Sequence, residues 1–251
     1  VPTVMIAGVS LVSDSRVRIA VLQQVLVPGS LEQTQTNVSS LDFNFGSASA
    51  NFNYAELANN LHTSGGFVWM YDGVDMVEHN FHYYPVVSVP TASGSGHGLS
   101  AGTYTYTACY EWVDNQGNIH QSAPADFRTV TVTAGQQVQF TVNYLQLTAK
   151  TSARPVQIVV YRTKADGSIL YRISSLTSPQ INVINGGSAT FTYTDTKADS
   201  DLILQLYTQP LQINAGIPAE VDNKPAPPTD LVVLHRNRLW VVDATDKLSL
   251  W

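Results

Sequence analysis

The sequence predicts an all-β fold, with an antiparallel sandwich in the middle of the chain and further strands on either side. Three observations carry that expectation. Apolar and polar residues alternate with period 2 over most of the chain, the mark of strands with one buried face. Turn pairs such as Asp72-Gly73 and Asp166-Gly167 separate the alternating runs. Charged residues make up only 13% of the 251 residues, and Thr, Ser, Asn and Gln fill the polar share, a bias that suits strands and polar loops.

Residues 1–87 read as a β-rich region with one short helix. "VRIAVLQQVLV" (17–27) fits a strand or a short helix, and "LDFNFGSASANFNY" (41–54) sets Leu41, Phe43 and Phe45 against Asp42 and Asn44. "NYAELANNLH" (53–62) carries the helix signal: Asn53 is an N-cap candidate and Glu56 follows three residues later. In "GGFVWMYDGVDMVEHN", two apolar runs flank Asp72-Gly73, a strong hairpin signal.

The Gly/Ser stretch "VPTASGSGHGLSAG" (89–102) reads as a linker into the sandwich, residues 88–200. "TYTYTACYEWVDNQGNIH" opens it with Tyr104, Tyr106, Ala108, Tyr110 and Trp112 on one strand face and Thr105, Thr107, Cys109 and Glu111 on the other. Asp114 to Gly117 supplies a turn. "VTVTAGQQVQFTVNYLQLT", the hairpin "VQIVVYRTKADGSILYRISSL" and "SATFTYTDT" complete five or six strands without a helix, the pattern of a sandwich. Residues 201–251 read as an extended crossing through Pro210, Pro218, Pro225, Pro227 and Pro228, then strands again in "DLVVLHRNRLWVV".

Composition excludes several classes of function. Net charge is −6 and no Lys/Arg cluster occurs, so sequence-independent nucleic-acid binding is not the main role. The single Cys109 rules out an internal disulfide and a cysteine-based zinc site. No apolar run approaches the length of a membrane-spanning helix, and "VPTVMIAG" shows no signal peptide. Both ends read as cut from something longer, the far end in an apolar strand at Trp251.

An internal echo links "FVWMYDGVDMV" (67–77) with "RLWVVDATDKLSL" (238–250), aligning Trp69 with Trp240 and Asp72 with Asp243. Repeated Trp-containing hairpins are a signature of β-propeller blades. On that reading, the sandwich is inserted between partial blade strands.

The runs "GGFVWMYDGVDMVEHNFHYYPVVSV", "GLSAGTYTYTACYEWVDNQGNIHQSAPA", "VVYRTKADGSILYRI", "FTYTDTKADSDL" and "HRNRLWVVD" resemble bacteriophage virion structural proteins of the tail-hub or nozzle type. These combine a β-propeller with an immunoglobulin- or fibronectin-III-like insertion. The resemblance covers roughly residues 55 to 251 and lies in strand and turn residues, with no catalytic signature. It implies a virion tail location and no cofactor. It also implies assembly with other tail proteins and with copies of the chain itself, and no enzymatic role. An acidic balance also fits a conduit through which DNA passes only as cargo. The alternative is a tail-tip protein that binds or degrades a host surface glycan.

Catalytic and metal motifs are weak. Gly98-Leu99-Ser100-Ala101-Gly102 fits the G-x-S-x-G pattern but lacks the strand before and the helix after that a nucleophile elbow needs. His79 and His82, near Asp72, Asp75 and Glu78, fall in a strand pattern that points them to opposite faces, and read as a polar outer face, not metal ligands. Asp195, Asp199 and Asp201 read as turn residues, not calcium ligands. The stripe Tyr104, Tyr106, Tyr110, Trp112 reads as sandwich core, with an exposed glycan platform as the alternative. Glu78, Glu111, Asp126 and Asp243 are the acids a glycosidase reading would need. The residues expected to shape structure or interfaces are Trp69, Asp72, Gly73, Trp112, Trp240 and Asp243.

Overall fold

The computed structural model describes residues 3–13, 16–25, 34–44, 53–151, 154–184, 188–202, 225–246 and 248, the first three ranges as backbone strands. The fold is all-β and its sheets are antiparallel. Among the described residues, the only helical turn is a 3-10 turn at Asp199–Asp201. The chain divides into two compact units: Val1–Val74 with Pro227–Trp251, and Asp75–Ala226.

The first unit opens with a meander of β1 (Thr3–Ser13), β2 (Arg16–Val25) and β3 (Thr34–Asn44). The ambiguous stretch 17–27 is therefore strand over Arg16–Val25, with Val17 paired to Leu11 on one side and Phe43 on the other. The expected helix at 53–62 is absent. That stretch is a hairpin of β4 (Tyr54–Leu57) and β5 (Asn60–Thr63), extended by β6 (Trp69–Tyr71). Ala58 and Asn59 both adopt positive φ, 53° and 61°, as a two-residue type I′ turn requires. A two-turn helix has too few hydrogen bonds to offset its nucleation cost. The hairpin instead buries Ala55, Asn60, His62 and Met70. Asn53 and Ser64 close its open end through the Asn53 N–H to Ser64 Oγ bond (2.8 Å) and the Ser64 N–H to Asn53 O bond (2.8 Å).

The second unit is a sandwich. β7 (Met76–Glu78) precedes it in the chain, and its strands are β8 (Thr91–Ser93), β9 (Gly102–Val113), β10 (Ile119–Gln121), β11 (Arg128–Val132), β12 (Gln137–Asn143), β13 (Gln157–Arg162), β14 (Tyr171–Arg172), β15 (Gln180–Ile181) and β16 (Thr190–Asp195). In the larger sheet, β9 pairs with β13 on one edge and with β10 and β11 in turn on the other, while β13 pairs with β14 and β15. The smaller sheet runs β16-β12-β8. First and last strands of the sandwich thus share a sheet.

The aromatic stripe of β9 is core. Tyr104, Tyr106, Tyr110 and Trp112 are at most 1% exposed, and Val138, Phe140 and Val142 of β12 are buried as well. Tyr106 and Phe140 rings lie 5.1 Å apart across the two sheets. Large aromatics bury roughly 150–250 Å² each, so this face supplies much of the burial. The opposite face of β9 is covered too: Cys109, Val159, Tyr161 and Leu170 cluster there with Phe127.

The stretch 89–102 is not a linker. Thr91–Ser93 is β8, paired with Gln137–Gln139, and Leu99 is buried. Gly98 and Gly102 are glycines for reasons of space. A Cβ on Gly98 would meet the Thr196 carbonyl oxygen at 2.6 Å, and one on Gly102 the Ala165 Cβ at 2.8 Å. The unit also begins at Asp75, ahead of the expected 88, because Phe81 and Val87 are part of its core.

The chain returns to the first unit as a hairpin of β17 (Thr229–His235) and β18 (Arg238–Asp243), which lies against β4. Its turn is Arg236-Asn237, again with positive φ at both residues (50° and 56°), so these residues, inside a run that reads as one strand, form a second type I′ turn. Gly65 and Gly66 N–H groups donate to the Thr229 carbonyl, and the Thr229 N–H returns a bond to Gly66 O (2.7 Å). The crossing through Pro210 and Pro218 and the closing strand to Trp251 lie outside the described residues.

Candidate functional site

The chemistry-bearing side chains of the sandwich form two buried charge networks and one open groove. The first network centres on Lys150, whose side chain is fully buried. Its Nζ donates to the carbonyls of Glu78 (2.7 Å) and Asn80 (2.6 Å) and pairs with Glu78 Oε1 (2.9 Å). All three ammonium protons therefore have acceptors. Burial pushes Lys150 down to about 8. Burial also opposes charge on Glu78, yet Lys150, the Thr148 hydroxyl and the Ala149 N–H together hold its carboxyl below the ordinary range. The pair is ionised at neutral pH.

Trp112 is built into the same region. Its indole N–H donates to the Arg154 carbonyl (2.9 Å), and Lys150 Nζ and the Arg154 guanidinium sit 5.6 and 5.7 Å from its ring. Both lie within cation–π range. The His120 ring is 5.4 Å away and contacts the buried Asp114 carboxylate at 3.0 Å. Asp114 also accepts the Gln116 and Asn118 N–H groups, which fixes the 114–118 turn.

The second network centres on Arg162, also fully buried. Its Nε meets Asp195 Oδ2 at 2.8 Å, Nη1 meets Asp199 Oδ1 at 2.7 Å, and Nη2 donates to the Lys197 carbonyl at 2.7 Å. The guanidinium lies 4.9 Å from the Tyr104 ring. Burial opposes its charge, but Asp195 and Asp199 hold it above its ordinary value. Burial raises Asp195, while Arg162, the Tyr106 hydroxyl and the Lys197 N–H oppose the rise. Arg162 Nε lies 2.8 Å from the carboxylate as its ion-pair partner, and the Tyr106 hydroxyl and the Lys197 N–H donate to it at 2.8 and 3.1 Å. Asp195 and Asp199 are thus more than turn residues: they tie β13 to the end of β16.

The groove is a cleft of about 260 Å³ beside β12, lined by Tyr83, Tyr84, Val86, Asn143, Tyr144 and Leu147 among others. Tyr83 and Tyr84 are about half exposed. Asn143 accepts the Val86 N–H and so fixes one wall.

The residues singled out from sequence are dispersed. Trp69 lies in β6, half-buried, and Met70 after it is fully buried. Asp72 is buried and accepts the Val74 N–H at 3.0 Å, with Gly73 at φ 93°. In the echo, Trp240 is 37% exposed, and Val241 after it is buried. Asp243 accepts the Thr245 hydroxyl and N–H, which hold its carboxyl below the usual range. Both aspartates therefore cap the turn that follows a Trp strand. Ser100 offers no elbow: it precedes β9, and its N–H donates to the Tyr104 hydroxyl (3.1 Å). Glu78, Glu111, Asp126 and Asp243 are engaged locally, Glu111 with Arg172 (3.3 Å) and Asp126 with Arg128 (3.6 Å). Among the described residues, no three His, Cys, Asp or Glu side chains gather to hold a metal, and no helix is long and apolar enough to cross a membrane. Arg162, Lys150 and the Tyr83-Tyr84 groove escaped the sequence reading. An Arg or Lys inside an alternating or turn-rich run is a faint signal, since most such residues are exposed. No family model, curated protein or solved structure matches the chain.

Proposed function

We propose that this chain is a structural part of a bacteriophage tail, of the hub, nozzle or fibre-attachment kind, acting by assembly and subunit contacts and not by catalysis. One observation carries the reading: the buried side chains of Glu78, Glu111, Asp114, Lys150, Arg162 and Asp195 are locked in internal pairs, while apolar side chains point outward on ordered strands. Leu231, Val233 and Trp240 of the β17–β18 hairpin are 37–44% exposed on the face opposite the buried Val232 and Val241. A sheet that met only water on that face would alternate to polar residues there. Apolar side chains on both faces suit strands stacked between neighbours, as in propeller blades and subunit walls. The matched turns after Trp69 and Trp240 support the blade reading, and the discontinuous first unit supports an inserted sandwich of immunoglobulin or fibronectin-III character. Mass spectrometry of purified virions from the phage that encodes the chain tests the proposal. Peptides of the chain are expected at a fixed ratio to known tail proteins, and their absence from particles overturns it.

A second reading, host-glycan binding, has one specific support in the half-exposed Tyr83 and Tyr84 along an apolar groove. Aromatic faces stack on sugar rings. The Tyr104–Trp112 stripe lends it nothing, being core. Binding on a glycan array that Tyr83→Ala with Tyr84→Ala abolishes would favour this reading, and an array without signal would remove it.

A further inference from the structure

The edges of the sandwich are unequally protected. On the larger sheet, β14 and β15 are two residues each, and β10 and β11 are broken apart by a segment containing Pro124. β11 is backed by β8, with Arg128 Nε donating to the Val87 carbonyl (3.3 Å). On the smaller sheet, the run alongside β12 that leads into β8 carries Pro85 and Pro90. Short strands, breaks and prolines are how proteins blunt an edge. β16, "TFTYTD", has none of these over six residues, and its first five are uncharged.

The hydrogen bonds show which of its backbone groups are open. Ser88 N–H donates to Thr141 O (3.0 Å) and Asn143 N–H to Val86 O (3.3 Å), so Thr141 and Asn143 turn away from β16. Alternation then directs Val138, Phe140 and Val142 toward it, where they meet Asp195, Tyr193 and Phe191. Thr190, Thr192 and Thr194 consequently point N–H and C=O to the outer edge. The Ser188 hydroxyl plugs Thr190 on both groups (2.7 and 3.4 Å). That leaves Thr192 and Thr194, two residues apart, without backbone partners among the described residues.

We propose that β16 pairs antiparallel with β16 of a second copy of this chain across a two-fold axis through Tyr193. That register sets Thr192 against the partner's Thr194 and Thr194 against the partner's Thr192, and each open N–H and C=O is matched. A symmetric interface must be self-complementary, and this one is. The Thr pairs meet on the exposed sheet face. Asp195, the one charge on the strand, falls opposite Phe191 and is already neutralised by Arg162. Half-buried Phe191 and Tyr193 gain cover from the same contact. The inference does not depend on the tail reading, and either can fail without the other.

Sedimentation of the 251-residue chain tests it. Wild type is expected to dimerise. Thr192→Pro deletes the two symmetry-related N–H donors and weakens association by about 30-fold or more. Thr194→Lys places a charge on the edge and does the same. Both variants keep the wild-type circular dichroism, because the outward backbone groups serve nothing inside the fold and Thr194→Lys gives up only the exposed Gln139 Nε2 to Thr194 Oγ1 bond (3.2 Å). An oxidised equal mixture of Thr192→Cys and Thr194→Cys chains forms mixed disulfide dimers, since hydrogen-bonded partners have Cα atoms about 5.5 Å apart. A monomeric wild type, or a dimer that survives Thr194→Lys with no mixed disulfide, overturns the proposal. In the second case another surface, or another chain's strand, is the occupant.

Discussion

Arg162 is a cation without access to water, and its cost is met by two carboxylates, a carbonyl and the Tyr104 face. Removing one member of such a set leaves a buried charge uncompensated. Arg162→Ala is therefore expected to lower stability by about 3–5 kcal/mol in urea unfolding, well beyond an ordinary surface substitution. Glu78 gives a pH signature. Its folded value lies below the ordinary 4.5, so its contribution is fully present above about pH 4.5 and is lost as pH falls through the folded value. The urea midpoint of wild type should fall with acidification over that window, and the Glu78→Gln midpoint should fall less steeply. Equal slopes would place Glu78 outside the acid response. Neither network could be read from sequence. Glu78 and Lys150 are 72 residues apart, and only the sandwich brings them together.

At the scale of elements, hairpin geometry explains both what sequence showed and what it hid. The period-2 runs of β12 and β16 were legible because each has one face turned inward, and alternation records that directly; β9, buried on both faces, was legible because aromatics alternate there with Thr and other smaller or polar residues. The β4–β5 hairpin was hidden because "AELA" has good helix propensity and Asn53 and Glu56 mimic a capping box. Tertiary pairing overrode that weak preference. The deciding signal was Ala58-Asn59, an unfamiliar spelling of the type I′ turn. Arg236-Asn237 hid the second hairpin turn in the same way. Alanine pays a steric cost in the left-handed region that asparagine largely avoids. Ala58→Asn is thus expected to raise stability by about 0.5–1 kcal/mol, visible as a higher melting temperature. A drop would mean the turn is not of this type. The Gly/Ser run 89–102 misled because small residues mark both flexible linkers and crowded crossings, and Gly98 belongs to the second kind.

For the whole molecule, the division into Val1–Val74 with Pro227–Trp251 and Asp75–Ala226 makes the second unit a continuous stretch with its own core. Residues 75–226 expressed alone should therefore unfold cooperatively and keep the near-ultraviolet signal of Trp112 packed beneath Lys150 and Arg154. A non-cooperative transition would show that the sandwich needs the first unit. The all-β class and the sandwich were legible from alternation and turn spacing; the place in a particle that we propose rests on resemblance and on the outward apolar side chains of β17 and β18. The most direct test is electron microscopy of virions labelled with an antibody to residues 75–226. The account predicts label at one fixed position on the tail of every particle, and virions that carry no label while the antibody binds the isolated chain would contradict it.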